Sequence, residues 1–99
     1  MIRHVVMWRF RQDMEQTPTE IAKEMKSRLE ALNGKIEGLL RAEVGVNVKQ
    51  TASSYDAVLT ADFTSWEAME AYKIHPLHVA ISDYCKERRA DRVDVDYEL

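Results

Sequence analysis

Residues 2–10, with the sequence IRHVVMWRF, decide the fold more than any other stretch of the chain. Every second residue from Ile2 to Phe10 falls on one face of a strand, because side chains alternate along an extended backbone. Val5 and Met7 lie on the opposite face, so the middle of this strand is apolar on both sides. A two-sided apolar pattern of this length indicates a strand in the centre of a sheet.

A helix is predicted shortly after this first strand. Thr17 and Glu20 form a capping box, and Pro18 suits the first helical position. Apolar residues then recur at helical spacing and make a single stripe: Ile21, Met25, Leu29 and Leu32. The pair Asn33-Gly34 is typical of a helix end.

Two more strands follow the helix. In the first, about 40–48, the predicted inner face carries Leu40, Ala42, Val44, Val46 and Val48. In the second, about 55–63, it carries Tyr55, Ala57, Leu59, Ala61 and Phe63. Alternation of apolar and polar residues is typical of antiparallel strands with one face against a core.

The last third of the chain predicts an interrupted helix and a final strand. Residues 64–67, TSWE, form a second capping box, and Pro76 breaks the helix because the residue before a proline avoids the helical region. The apolar stripe resumes after this break and continues to about Arg88. A final strand covers about 92–98, where Val93, Val95 and Tyr97 alternate with acidic residues.

The order of elements is therefore β-α-β-β-α-β in a single domain, residues 1–99. This order predicts the ferredoxin-like α+β fold, a four-stranded antiparallel sheet with its helices on one face. Two helices cover only one face of the sheet, yet Val5, Met7 and Val58 place apolar side chains on the other. We therefore expect a homodimer packed sheet to sheet, or a closed barrel shared by two chains.

The composition excludes several classes of protein. With 45% hydrophobic and 31% charged residues it is globular, and no stretch approaches the roughly 20 apolar residues of a membrane span. Charged residues interrupt the apolar start, which argues against a signal peptide. A net charge of -3 disfavours a nucleic-acid partner, and a single cysteine, Cys85, rules out an internal disulfide. We expect a cytoplasmic protein with no membrane partner.

Candidate chemistry is concentrated in residues 71–84, AYKIHPLHVAISDY. Pro76 holds His75 extended and places His78 in the first turn of the next helical segment. A helix N-terminus favours neutral imidazole, so His78 is a candidate general base near pH 7. Tyr72 is a candidate acid or orienting hydroxyl beside it.

A small-molecule pocket is predicted against the first strand, where a histidine and a tryptophan share one face. Its expected lining is His4, Val6, Trp8, Ala57, Leu59 and His75. The structural alternative makes His4 and Tyr72 core residues, and His75 and His78 parts of a helix break. No metal site is predicted, because Pro76 interrupts the His-x-x-His geometry and no acidic ligand completes the set.

The chain resembles the stress-responsive dimeric A/B-barrel (Dabb) family over nearly its whole length. The resemblance is carried by residues 1–10, 35–48, 55–79 and 91–99, and most specifically by HP-x-H with its preceding tyrosine in YKIHPLHV. It implies ferredoxin-like chains that dimerise into an α/β barrel. Most members of the family have no assigned reaction, and some bind magnesium through main-chain oxygens, the one cofactor that the resemblance implies.

The resemblance extends to a plant polyketide cyclase of this family, in which a helix tyrosine and a histidine promote an aldol cyclisation. It matches those residues to Tyr72 and His78, and a pocket histidine to His4. Ala57 and Arg89 stand where that enzyme has a histidine and a tryptophan, which implies a different substrate.

Three functions stay open from the sequence. The first is a small-molecule enzyme of cyclase or lyase type that acts through Tyr72 and His78. The second is a non-catalytic, ligand-binding or stress-associated dimer, and the third is a purely structural unit. Related dimeric barrels with monooxygenase or haem-degrading activity rank lower, because the first strand lacks their asparagine and Tyr72 occupies their tryptophan position.

Overall fold

Four strands and three helices follow one another in the computed structural model, which describes residues 1–99. The elements are β1 (Ile2–Phe10), α1 (Pro18–Glu30), β2 (Leu39–Val46), β3 (Ala57–Phe63), α2 (Trp66–Ile74), α3 (Pro76–Lys86) and β4 (Arg89–Glu98). The sheet is antiparallel throughout, in the order β2-β3-β1-β4. The predicted ferredoxin-like fold, with β1 in the interior of the sheet, is therefore confirmed. No helix has the length and apolar character that a membrane span requires.

The start of α1 has the predicted cap. The Glu20 backbone N–H donates to Thr17 Oγ1 at 3.1 Å, and the Thr17 backbone N–H donates to Glu20 Oε1 at 2.9 Å. These bonds satisfy backbone donors that a helix start leaves without intrahelical partners. The apolar stripe of α1, including Ile21 and Leu29, is buried against the inner face of the sheet.

The predicted inner face of β2 is wrong at both ends. The β2–β3 pairing advances from Leu39 opposite Phe63 to Arg41 opposite Asp62, so Leu40 is skipped by a bulge. As a result Leu39 is buried, whereas Leu40 is 50% exposed. Val48 lies beyond the strand and is 98% exposed. A bulge adds one residue to one strand and shifts the side chains on either side of it.

Strand β4 begins earlier than predicted, because Arg89 already pairs with Phe10 of β1. In this register Val95 lies beside Val5 and Asp96 lies beside His4. Val93, Val95 and Tyr97 of β4 therefore share the uncovered face of the sheet, whereas Asp94 and Asp96 face the helices.

The core lies between the helices and the inner face of the sheet, in a single cluster of 21 buried residues. His75 separates α2 from α3 with an extended backbone, at φ -65° and ψ 134°, as expected for a residue before proline. Residues of β1, α1, β3, α2, α3 and β4 surround one space.

Candidate functional site

A cavity of about 310 Å³ opens between the inner face of the sheet and the helices. Its apolar walls come from Val6, Trp8, Met25, Leu29, Leu59 and Ile81. Its polar side chains are His4, Tyr72, His78, Ser82 and Cys85, with Lys73, Lys86, Arg89 and Arg92 around them. Ligand pockets typically measure about 300–1,000 Å³, so this one suits a small molecule.

Most of the predicted site residues line this single cavity: His4, Val6, Trp8, Leu59, Tyr72 and His78. Ala57 and His75 do not line it. The short side chain of Ala57 is buried beside Trp8, its partner in the β1–β3 register. His75 caps α3 instead, because its Nδ1 accepts the Leu77 backbone N–H at 3.1 Å.

Tyr72 presents a hydroxyl that has no partner within the protein. Ser65 caps α2 by accepting the Ala68 backbone N–H, and this helix carries Tyr72 into the core, where it is 1% exposed. Its ring centroid lies 4.9 Å from that of Phe63 and 4.2 Å from that of His78. No other buried side-chain polar atom lacks a hydrogen bond.

The state of the Tyr72 hydroxyl follows from its burial. Burial raises the pKa of Tyr72 well above its usual value, so the group stays protonated at all ordinary pH values. A buried hydroxyl without a partner costs about 1–3 kcal/mol relative to a satisfied one. A ligand oxygen that reached this hydroxyl would accept the hydrogen bond and recover that cost.

His78, on the first turn of α3, has one ring nitrogen engaged by the backbone. Its Nδ1 lies 3.2 Å from the Lys73 carbonyl oxygen, and a carbonyl only accepts, so Nδ1 carries the proton. The lone pair of the neutral ring is therefore on Nε2. Burial lowers the pKa of His78, and the bond to Lys73 opposes that shift. His78 is thus a neutral base near pH 7.

His4 forms a third polar group on the cavity wall. It is 5% exposed, and its Nδ1 is hydrogen-bonded to the Asp96 carboxylate on the neighbouring strand. A carboxylate accepts, so Nδ1 donates and Nε2 is left for a ligand. The sequence analysis did not identify Asp96 as a site residue. The alternation of Asp94 and Asp96 with Val93 and Val95 was the pattern that could have placed it on the inner face.

The remaining reactive group, Cys85, is not suited to nucleophilic chemistry here. Its thiol is buried in the cavity wall, and burial raises its pKa, so the unreactive thiol form predominates at neutral pH.

No group of three or more His, Cys, Asp or Glu side chains has the geometry of a metal site. The cavity lining contains no carboxylate and does not fit magnesium, which prefers oxygen ligands. Magnesium held by main-chain oxygens stays a prediction of the resemblance.

The arrangement combines a proton donor and a proton acceptor on one cavity. A carbonyl oxygen at the Tyr72 hydroxyl would be polarised, and His78 Nε2 could then remove a proton from the adjacent carbon. His4, oriented by Asp96, adds a second imidazole to the same space. The three side chains that the sequence singled out for chemistry therefore meet in one place.

Solved structures with this fold include two described as dimeric proteins of unknown function with a ferredoxin-like fold. One, from Bacteroides fragilis, is 28% identical with a TM-score of 0.86, and the match covers 99% of this chain and 95% of that one. The other, from Thermobifida fusca, is 26% identical with a TM-score of 0.84, and the match covers 99% and 90%. A comparison with curated proteins gave no match.

A third similar structure is the hydroxynitrile lyase from Passiflora edulis. It is 13% identical with a TM-score of 0.80, and the match covers 99% of this chain and 92% of that one. At this identity the likeness shows a shared fold alone. The family model described as Stress responsive A/B Barrel Domain matches residues 2–99. The chain therefore belongs to the stress-responsive A/B barrel, or Dabb, family.

Proposed function

We propose that this protein binds a small carbonyl compound in the cavity and moves a proton at the carbon beside the carbonyl group. The observation that carries the proposal is the Tyr72 hydroxyl, which is buried, protonated and without a partner, on the cavity that His78 also lines. An aldol-type cyclisation begins with such a proton transfer, as does a lyase reaction that eliminates a group β to the carbonyl, and the resemblance to a polyketide cyclase points to the same two residues.

The proposed step uses two side chains in distinct roles. The Tyr72 hydroxyl donates a hydrogen bond to the substrate oxygen and stabilises the negative charge that develops there. His78 Nε2 takes the proton from the adjacent carbon, which leaves an enol or enolate and an imidazolium. The imidazolium then returns its proton to carbon, or to a leaving group. His4 and Trp8 shape the space around the reacting carbon.

The direct test is exchange of carbon-bound protons for deuterium in 2-octanone, followed by NMR in D₂O. We expect the wild-type protein to accelerate the exchange, and both Tyr72→Phe and His78→Gln to lower the rate by about 10²–10⁴-fold, the usual contribution of acid–base groups. Because the pKa of His78 is lowered, the rate should rise with pH and reach its plateau at a lower pH than an ordinary imidazole, whose pKa is about 6.5, would give.

Matched controls use the same residue types outside the cavity. Tyr84→Phe removes a hydroxyl that bonds to Gln16, and His75→Asn keeps a side chain able to cap α3. Both should exchange at the wild-type rate. Equal rates in wild type and His78→Gln would exclude His78 as the base, and no acceleration by the wild type would contradict the proposal.

We also propose that the chain works as a homodimer packed through the uncovered face of its sheet. The centre of that face is apolar, and three of its side chains are well exposed, Val95 at 62%, Tyr97 at 42% and Met7 at 40%. Val95 and Met7 adjoin Val5 and Val93 in the strand register, so the patch is continuous. Two similar solved structures are described as dimeric, which supports a homodimer. Sedimentation at micromolar concentration tests it, and a monomer alone would contradict it.

The second candidate function is a non-catalytic ligand-binding or stress-associated dimer. The same cavity and the same uncovered face support it, because neither requires turnover. It differs in one measurable result: Tyr72→Phe and His78→Gln would alter ligand affinity or thermal stability while no variant, including the wild type, accelerates proton exchange.

A further inference from the structure

All the charged side chains that line the cavity are basic. The lining includes four basic side chains, Lys73, Lys86, Arg89 and Arg92, and no aspartate or glutamate. This excess of positive charge occurs in a chain whose net charge is -3. A concentration of cations on a half-enclosed apolar space is the electrostatic signature of a site for an anionic ligand.

Two of the four cations are already compensated. Arg92 forms an ion pair with Asp94, and Lys73 lies 3.6 Å from Glu70. Arg89 and Lys86 have no ion pair in the structure. Lys86, at the end of α3, also complements the negative end of that helix, whereas Arg89 lies beyond the helix and opens β4. Of the four cations, Arg89 is therefore the one whose charge is offset neither by an ion pair nor by a helix end.

Arg89 and Lys86 lie at one end of the cavity, and the acid–base groups Tyr72 and His78 lie at the other. His78 contacts Tyr72, which packs on Phe63, and Phe63 pairs with Ile2 at the start of β1. Arg89 pairs with Phe10 at the other end of β1.

The length of α3 gives the scale of this separation. Along the helix, His78 and Lys86 are separated by about 12 Å at 1.5 Å per residue. Apolar side chains, including Val6 and Ile81, line the space between the two ends.

We propose that the ligand is an amphipathic anion, with its charged group at Arg89 and Lys86 and an apolar body running toward Tyr72 and His78. The position of the reacting carbonyl rests on the proposed function, but the anion site stands on the charge and geometry of the cavity. A carboxylate and a phosphate share the required chemistry, since the guanidinium of Arg89 accommodates either with paired hydrogen bonds.

The test is titration calorimetry with three ligands that share one chain: octanoate, octyl phosphate and octanamide. At least one anion should bind about tenfold more tightly than the amide, and added salt should weaken that preference. The stronger of the two anions identifies the headgroup. Equal affinity for all three ligands, or binding of none of them, would overturn the anion site.

Variants locate the anion. Arg89→Gln should reduce the anion preference by about tenfold, and Arg89→Lys should restore part of it. Arg28→Gln, which removes the same charge from an exposed α1 residue paired with Glu24, should retain the preference. An equal loss in Arg28→Gln and Arg89→Gln would show that the anion binds elsewhere. If Arg89→Gln does not fold, Lys86→Gln replaces it, since Lys86 is exposed.

The calorimetric result is independent of turnover. Tyr72→Phe should keep the anion preference and lose proton exchange with neutral 2-octanone. Anion preference in a wild-type protein without exchange activity would contradict the proposed chemistry and support the anion site. Exchange activity without anion preference would support the chemistry and contradict the anion site.

Discussion

The two faces of the sheet are formed by alternate residues of the same strands, yet their polar side chains have different surroundings. Those of the inner face are buried, and those of the uncovered face are partly exposed to solvent. On the inner face, His4 and Asp96 bond to each other among buried apolar side chains. On the uncovered face, Val95 is exposed and the ion pair of Arg3 with Asp62 lies on the surface of the sheet, at 2.7 Å. Hydrogen bonds are stronger away from water, so the inner face suits chemistry and the outer face suits association.

The largest expected contrast compares two aliphatic residues, one on the inner side and one on the outer. Leu29→Ala removes a side chain that is 1% exposed in the core and should lower the free energy of unfolding by about 2–5 kcal/mol. Val95→Ala should change it by about 0.5 kcal/mol or less in the monomer. Urea denaturation at low protein concentration measures both. Similar losses would contradict the assignment of the two faces.

A charge on the uncovered face should separate folding from association. Val95→Asp places a carboxylate in the proposed interface, where burial of an unpaired charge is costly, so we expect dimer affinity to fall by at least about 100-fold. The monomer should remain folded, because Val95 is 62% exposed. Sedimentation and circular dichroism measure the two properties. A dimer that persists in this variant would place the interface elsewhere.

A smaller effect is expected from Asp96→Asn, which tests the polar pair of the inner face. An amide can accept from His4 Nδ1 with only one of its two ends, so it holds the ring less firmly than the carboxylate does, and the exchange rate of 2-octanone should fall by about tenfold. Asp96 acts through His4, and a shifted pH profile would distinguish this positioning role from simple destabilisation. An unchanged rate and profile would remove the pair from the mechanism.

The smallest effect is expected from the ion pair of Arg3 with Asp62. It is partly exposed, so Asp62→Asn should cost the monomer about 0–1 kcal/mol. Arg3 lowers the pKa of Asp62 below its usual 3.8, so the stabilisation is present above that pH and is lost as pH falls below it. Denaturation between pH 3 and pH 7 measures this dependence, and a loss well above 1 kcal/mol would contradict the low value of surface pairs.

The sequence was sufficient for the central strand and the start of α1, because these depend on neighbouring residues. The capping box predicted over 64–67 is wrong, since Ser65 alone caps α2. The alternation of β1 and the capping box of Thr17 and Glu20 are local patterns with local causes. It failed at Leu40, because the bulge that exposes this residue depends on the register with β3. It also failed at Ala57, because a position on the inner face does not show whether a short side chain reaches a cavity.

The candidate site divides in the same way. Tyr72, His78 and His4 were recognisable from their residue types and from HP-x-H, since Pro76 keeps the preceding residue, His75, out of the helical region. Asp96 and the uncompensated charge of Arg89 were not recognisable as partners of the site. Both residues approach the site only because β4 pairs with β1 in one register. Side chains that are far apart in the sequence come close to each other only when the chain has folded.

The sequence by itself determined the order of elements, the two-sided apolar pattern of β1 and the break that presents His78, since backbone sterics and periodicity operate over a few residues. Tertiary structure decided which of those side chains share a cavity, which nitrogen of each histidine is free and which hydroxyl lacks a partner. These properties depend on distances between residues that are remote along the chain, such as Tyr72 and Phe63, and only packing sets those distances.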